Sequence, residues 1–139
     1  MNENTVTKVR HLNDLNSFNK EFPLRKMVAV ESIPADSQKI AQIVIPHNEV
    51  YVVEIIRFMS DGDFEIKIAE GDKTAKFYGD VAVKRDSFLR DTGIYEDKPD
   101  RLVRVLNPGS TVDFTVTDLS GGSNNVYITL IGERWKQSE

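Results

Sequence analysis

Acidic residues gather in short turns of this sequence, where oxygen ligands for a metal ion would collect. They come in closely spaced pairs: Asp61 and Asp63, Glu70 and Asp72, Asp97 and Asp100. If neighbouring strand ends meet, Asp61, Asp63 and Asp72 would offer carboxylate oxygens to Ca²⁺. The run Asp61-Gly62-Asp63 has fewer ligands than a calcium loop, and aspartate beside glycine is first of all typical of a turn. We therefore predict turns at these positions and no metal site.

Other residue types that carry catalysis do not fall into a catalytic spacing. His11 and His47 have no metal-ligand partner at a useful spacing. The run Gly121-Gly122-Ser123 matches neither a nucleophile elbow nor a phosphate-binding loop. No pattern places two carboxylates across a cleft, as glycoside hydrolysis needs. The sequence contains no cysteine, which excludes disulfides, thiolate zinc sites and cysteine nucleophiles. We predict that the protein is not an enzyme and uses no cofactor.

Aromatic side chains could stack on a sugar ring or anchor a protein interface. The candidates are Tyr51, Tyr78, Tyr95, Tyr127 and Trp135. Packing in the core or in an interface is the simpler role, because aromatic residues supply much of the buried area of a small domain. A carbohydrate-binding or receptor-binding module is therefore kept as an alternative function.

Strict alternation of apolar and polar residues marks residues 111–135, the stretch that best defines the fold. Val112, Phe114 and Val116 fall on one face of the first segment, and Val126, Ile128 and Leu130 fall on one face of the second. A period of two residues predicts half-buried strands. The polar, glycine-containing loop between them predicts an antiparallel hairpin.

Further strands are predicted upstream, at intervals of about ten residues. They cover residues 27–33, 39–45, 50–59, 64–68, 74–78 and 101–106, with a short strand at Val81 and Val83 and a buried plug at Phe88 and Leu89. Residues 50–59 are apolar on both faces, which predicts a central strand. About eight short strands predict an all-β, antiparallel β-sandwich. A jelly roll is the first choice and an immunoglobulin-like sandwich the second.

The first 27 residues differ from the rest because they are polar and rich in asparagine. They predict either a terminus with one docked turn or an arm that packs on a neighbouring subunit. We divide the chain into an N-terminal arm (1–27), a β-sandwich domain (28–136) and a C-terminal tail (137–139). The net charge of −4 argues against a broad nucleic-acid-binding face. There is no membrane-spanning apolar run and no signal-peptide pattern, so we expect synthesis in a cytoplasm.

Three motifs in the second half resemble a known class of protein. They are Asp-Gly-Asp-Phe-Glu-Ile-Lys-Ile (61–68), the turn at 106–112 that contains Ser110 and Thr111, and Asn-Val-Tyr-Ile-Thr-Leu-Ile-Gly-Glu-Arg (125–134). Together they resemble the small jelly-roll-like β-sandwich structural proteins of tailed-phage virions, the minor capsid, lining or decoration proteins. The resemblance extends over about half of the chain.

The resemblance implies a non-enzymatic component of a virion that acts by assembly. It implies a homo-oligomer, for which a trimer is favoured, and contacts with other virion proteins such as the major capsid protein. The interface residues that we predict are Phe18, Phe22 and Leu24 in the arm, and Arg134 and Trp135 at the end of the last strand. A small β-sandwich hydrolase remains a third, less favoured alternative.

Overall fold

Most of the described chain is β-strand. The computed structural model describes residues 17–71, 75–76, 82–91, 93–97 and 104–137. In chain order the strands are β1 (Phe18–Ile33), β2 (Gln38–Val44), β3 (Glu49–Ser60), β4 (Phe64–Glu70), β5 (Ala75–Lys76), β6 (Val83–Lys84), β7 (Leu89–Asp91), β8 (Ile94–Asp97), β9 (Arg104–Leu106), β10 (Thr111–Asp118) and β11 (Asn124–Gln137). The described part contains no helix that could cross a membrane.

The strands form two antiparallel sheets. Sheet A has the order β1-β11-β3-β8-β7, with β9 also paired to β3, and sheet B has the order β2-β10-β4-β5, with β6 also paired to β4. The chain alternates between the sheets from β1 to β4 and again from β9 to β11. This interleaved order is that of a jelly roll, which confirms the predicted fold class. An immunoglobulin-like sandwich is wrong here, because its strand order differs.

The predicted hairpin in residues 111–135 is wrong. Both strands form where the alternation places them, but β10 belongs to sheet B and β11 to sheet A. The loop between them therefore crosses from one sheet to the other. Alternation shows only that each strand buries one face. Here the two apolar faces, with Phe114 on one and Ile128 on the other, meet across the core instead of lying side by side.

The predicted start of the first strand at residue 27 is also wrong. Strand β1 begins at Phe18 and pairs with β11 from Phe18 to Val30 and again at Ile33. Residues 18–27 were missed because they are polar and contain Pro23, features that an edge strand tolerates and a central strand does not. Residues 1–16 of the predicted arm lie outside the described residues, and the division into arm and domain stays a prediction.

The core lies between the inner faces of the two sheets. The largest fully buried side chains in it are Phe58, Phe64 and Phe114. Phe88 stacks on Phe58 with 4.5 Å between the ring centroids, as the predicted plug requires, whereas Leu89 is exposed. Both faces of the first half of β3 are buried, as the central-strand prediction expected. Tyr51 and Val53 face the main core, and Val50 and Val52 join a second, smaller cluster.

Candidate functional site

Sheet A extends beyond sheet B at one end of the sandwich. Strands β1, β11 and β3 have 16, 14 and 12 residues, whereas β2, β10 and β4 have 7, 8 and 7. The sheets are level where β10 leads into β11, so the excess length lies at the end of β11 and the start of β1. Antiparallel pairing brings these two strand ends together, with Phe22 opposite Arg134 and Glu21 opposite Trp135.

The structure therefore gathers predicted interface residues from the two ends of the sequence. We call Phe18, Phe22, Glu49, Arg134 and Trp135 the strand-end cluster. On one side of the sheet, the Phe22 ring makes cation–π contacts with two side chains. The Arg134 guanidinium lies 5.3 Å and the Lys136 amine 5.4 Å from the ring centroid. Such contacts hold the ring and the cations in one orientation. Phe22 remains 36% exposed, so it is available to a partner.

A buried carboxylate orients the Arg134 side chain. Arg134 Nη1 donates to Glu49 Oε1 at 3.3 Å, and Glu49 is buried. The Nε atom of Arg134 is itself buried and has no hydrogen-bond partner among the described residues. Buried polar groups are nearly always hydrogen-bonded, so this donor is an exception to the usual pattern.

The opposite side of the same strand end is apolar. Phe18 packs there with Val50, Val52 and the half-buried Val105 and Trp135. The Trp135 indole N–H is buried and, among the described residues, finds no acceptor. The position is unusual, since buried indole groups normally donate a hydrogen bond. Strand ends with one apolar face and one cationic face are suited to protein contacts.

Two of the predicted interface residues are buried, but in different places: Phe18, 8% exposed, lies in the second cluster at the strand end, whereas Leu24 lies in the main core. Its side chain is 4% exposed and belongs to the core of its own sandwich. We therefore leave Leu24 out of the surface on which a partner would dock. For Phe18, Phe22, Arg134 and Trp135 the interface role stays a prediction.

Three carboxylates on neighbouring strands form an acidic triad next to this cluster: Glu21 on β1, Glu133 on β11 and Glu54 on β3. Burial, followed by the contacts with Glu21 and Glu54, raises the pKa of Glu133 from 4.5 to about 8. Two carboxyl groups can share a hydrogen bond only when one carries a proton. The surroundings of Glu133 thus favour the protonated form of its carboxyl, because a proton there relieves the repulsion among the three groups.

Sequence reasoning missed this triad because its members are far apart in the chain. Gly132 lies opposite Val53 and Ile131 opposite Ile55, so Glu54 is the extra residue of a β-bulge that shifts the register of β3. The register of β1 and the bulge in β3 together decide which carboxylates meet. The one signal in the sequence is Gly132, since a glycine inside a strand often marks a bulge or a close backbone approach.

Most of the acidic residues that the sequence suggested as metal ligands serve as local hydrogen-bond or ion-pair partners. Asp61 accepts a hydrogen bond from Asn125, and Asp63 accepts one from the backbone N–H of Phe64 and lies 3.6 Å from Arg85 Nε. Glu70 accepts hydrogen bonds from Asn107 and Ser110 and so holds the turn between β9 and β10. Asp97 pairs with Arg104 at 3.8 Å. Asp72 and Asp100 lie outside the described residues.

The buried carboxylate of Asp118 organises the loop end of the sandwich. It accepts hydrogen bonds from the backbone N–H groups of Asp36, Ser120 and Gly121 and from the Asn124 side chain. The Ser120 hydroxyl donates to it as well. These hydrogen bonds, led by that of the Ser120 hydroxyl, hold the pKa of Asp118 well below its ordinary value of 3.8. Asp118 thus joins the β1–β2 and β10–β11 loops and has no lone pair left for chemistry.

His47, the one histidine within the described ranges, packs against a turn glycine. His47 is exposed, and its ring lies against Gly109, where an added Cβ would come within 2.7 Å of Nδ1. His11 lies outside the described residues. Within the described ranges, no group of three histidine, aspartate or glutamate side chains is placed to hold a metal ion.

Comparison with known proteins gives only distant structural likenesses. No family model matches the chain, and no curated protein matches it. Among solved structures, the infectious bursal disease virus Gt strain is 7% identical with a TM-score of 0.31, covering 86% of this chain and 38% of that one. The VP2 subviral particle of the same virus is 8% identical with a TM-score of 0.29, covering 86% and 37%. The chain thus spans less than two fifths of these proteins, and likenesses this weak carry no argument about its function.

Proposed function

We propose that this chain is a non-enzymatic structural protein of a virion, of the minor capsid or decoration type found in tailed phages, which acts by binding copies of itself and the shell. The observation that carries the proposal is the strand-end cluster. There the exposed Phe22 ring and the Arg134 guanidinium lie side by side on the two longest strands of the sandwich, and Trp135 lies on the opposite face of the same strand end.

The physical character of this cluster suits assembly. Aromatic and arginine side chains dominate the energy of protein interfaces, especially when they are held in place before binding. Glu49 and Phe22 hold Arg134 from two sides, and the apolar cluster under Trp135 holds the indole ring. These side chains are therefore already ordered, so binding a partner would cost little conformational entropy.

The first experiment measures self-association by light scattering coupled to size-exclusion chromatography. We expect the wild-type protein to be an oligomer and Phe22→Ala to shift it toward smaller species. Leu119→Ala is the matched control, because Leu119 is exposed to a similar degree, 38%, and lies in the loop at the opposite end of the sandwich. A strict monomer, or equal behaviour of the two variants, would contradict the proposal.

The coding context of the chain tests the virion assignment separately. We expect neighbouring genes for a major capsid protein, a portal or a tail. Genes for sugar metabolism or uptake in their place would favour the carbohydrate-binding alternative. The proposed trimer is tested by the mass of the wild-type oligomer.

The carbohydrate-binding alternative has less support from the aromatic residues. Tyr127 and Trp135 lie on the same face of β11 but eight residues apart, which is about 26 Å along a strand. A single sugar ring cannot stack on both. A glycan-array signal that is lost on Tyr127→Ala or on Trp135→Ala would revive this alternative.

A further inference from the structure

The outer edge of β1 is the longest unpaired strand edge in the described part of the chain. Strand β1 lies at the end of sheet A and pairs with β11 alone among the described strands. It has 16 residues, and most of them are exposed, including Met27 at 63%. An edge of this length is a template for strand pairing unless the chain protects it.

The sequence of β1 shows which backbone groups point outward at this edge. A proline within a sheet lies where its missing N–H would face away from the neighbouring strand. Pro23 is opposite Glu133, and the register between Lys20 and Val30 is continuous. The backbone groups of Arg25, Met27 and Ala29 therefore point outward too, because both groups of a residue point to the same side and alternate along the strand.

The direction of the Glu31 carbonyl group is consistent with this alternation. It accepts a hydrogen bond from Lys39 Nζ at 2.7 Å and so points away from β11. Beyond it, Ser32 has a positive φ of 55° and the register shifts. A regular ladder along the outer edge is therefore confined to the segment that ends at Glu31.

We propose that two copies of this chain pair along this segment, β1 to β1, antiparallel about a two-fold axis at Val28. The axis places Arg25 opposite Glu31 of the second copy, and Met27 opposite Ala29 of the second copy. The resulting dimer has one continuous sheet made of two copies of sheet A.

Charge favours this register over the two neighbouring registers, which also keep the outward groups paired. An axis one residue earlier, at Met27, puts Arg25 opposite Ala29 and leaves the charges unmatched. An axis at Lys26 brings Glu21 opposite Glu31, which repels. The axis at Val28 forms two Arg25–Glu31 pairs, and opposite charges across a strand pair stabilise it. It also covers the exposed Met27 side chains.

This inference rests on the proposed self-association but uses a different surface from the strand-end cluster, so edge pairing would join two of the proposed trimers into a hexamer. The test is a charge exchange, followed by sedimentation velocity at several concentrations. Each single variant, Arg25→Glu or Glu31→Arg, replaces two attractive pairs with two repulsive pairs, so we expect the dimer to dissociate roughly tenfold to thirtyfold more readily. The double variant restores both pairs with reversed sign, and its dimer is expected to return to within a few-fold of wild type.

Disulfide formation tests the register, because the chain has no cysteine of its own. In the double variant Met27→Cys/Ala29→Cys, the two positions face each other within the Cα separation that a disulfide accepts. We expect a covalent dimer on oxidation. Met27→Cys alone is the control, since its thiols are diagonal neighbours about 7–8 Å apart at the Cα atoms.

Several outcomes would overturn the edge pairing: single charge variants that associate like wild type, a double variant that stays dissociated, or equal cross-linking of the single-cysteine control and the double-cysteine variant. If Phe22→Ala changes the association state while the charge exchange has no effect, self-association stands and the edge pairing fails. A wild-type protein that is a strict monomer contradicts both.

Discussion

The close approach of β11 to β3 at Gly132 leaves no room for a side chain. A Cβ atom added at this position would lie 2.0 Å from the carbonyl oxygen of Val52 and 3.0 Å from the backbone nitrogen of Glu54. Carbon and oxygen atoms that are not bonded normally stay more than about 3.2 Å apart. For Gly132→Ala, the two central strands of sheet A would have to separate by about 1 Å.

The cost of this change follows from where it occurs. Overpacking of a well-packed interior costs about 1–3 kcal/mol, and the obstacle here is backbone that cannot rotate away. The bulge at Glu54 is also the point that fixes the register between β11 and β3. We expect Gly132→Ala to lower the free energy of unfolding by about 3 kcal/mol, a large part of the total for a domain of this size.

Urea unfolding followed by far-ultraviolet circular dichroism measures the effect, and the fluorescence of Trp135 gives a second signal. Gly122→Ala is the matched control, because nothing lies within 4 Å of an added Cβ there and its φ is not in the left-handed region. We expect the control to lie within about 0.5 kcal/mol of wild type. If Gly132→Ala is as stable as Gly122→Ala, the proposed close approach is incorrect.

Further predictions concern charge and packing, and each is measured by thermal or urea unfolding. Because the pKa of Glu133 is raised, the free energy of unfolding falls as pH rises from 4.5 to about 8. Without solvent screening the loss would be about 5 kcal/mol, and with screening we expect about 1–2 kcal/mol at pH 9. Glu133→Gln should remove this loss. Glu65→Gln, the same change on sheet B, is the control, and an equal response would refute the triad. The lowered pKa of Asp118 has the opposite effect on the pH dependence of stability. The stabilisation from Asp118 is complete above pH 3.8 and is lost as pH falls below that value. Asp118→Asn should therefore lower Tm at pH 7, but less at pH 3. Phe114→Ala should cost about 3–5 kcal/mol because the ring is fully buried, and a cost below 1 kcal/mol would contradict its place in the core.

The position of each long strand could be predicted well, because burial of one face leaves a period of two in the sequence. Val112, Phe114 and Val116 are all fully buried, as their spacing requires. Which strands pair with each other could not be predicted in the same way. A strand buries the same face whether it turns back beside its neighbour or crosses to the opposite sheet, so the loop after Asp118 was taken for a hairpin loop.

The edge strand and the acidic triad show a second limit. Residues 18–27 pair with only one neighbouring strand. An edge strand tolerates Pro23 and several charges, and these interrupt the apolar alternation by which a strand is recognised in a sequence. The triad depends on three strands and on one inserted residue in β3. A shift of one residue in any of these strands would turn one carboxylate to the other face of the sheet.

The all-β sandwich, the exclusion of cysteine chemistry and the candidacy of Phe22 and Arg134 for an interface all follow from the amino-acid sequence. The folded chain is needed to see that Phe22 and Arg134 meet, that Leu24 turns into the core, and that Glu133 lies beside Glu21 and Glu54. Alternation along one strand is a local property. Contacts between Phe22 and Arg134, or between Glu54 and Glu133, depend on the register of strands that are distant in the chain.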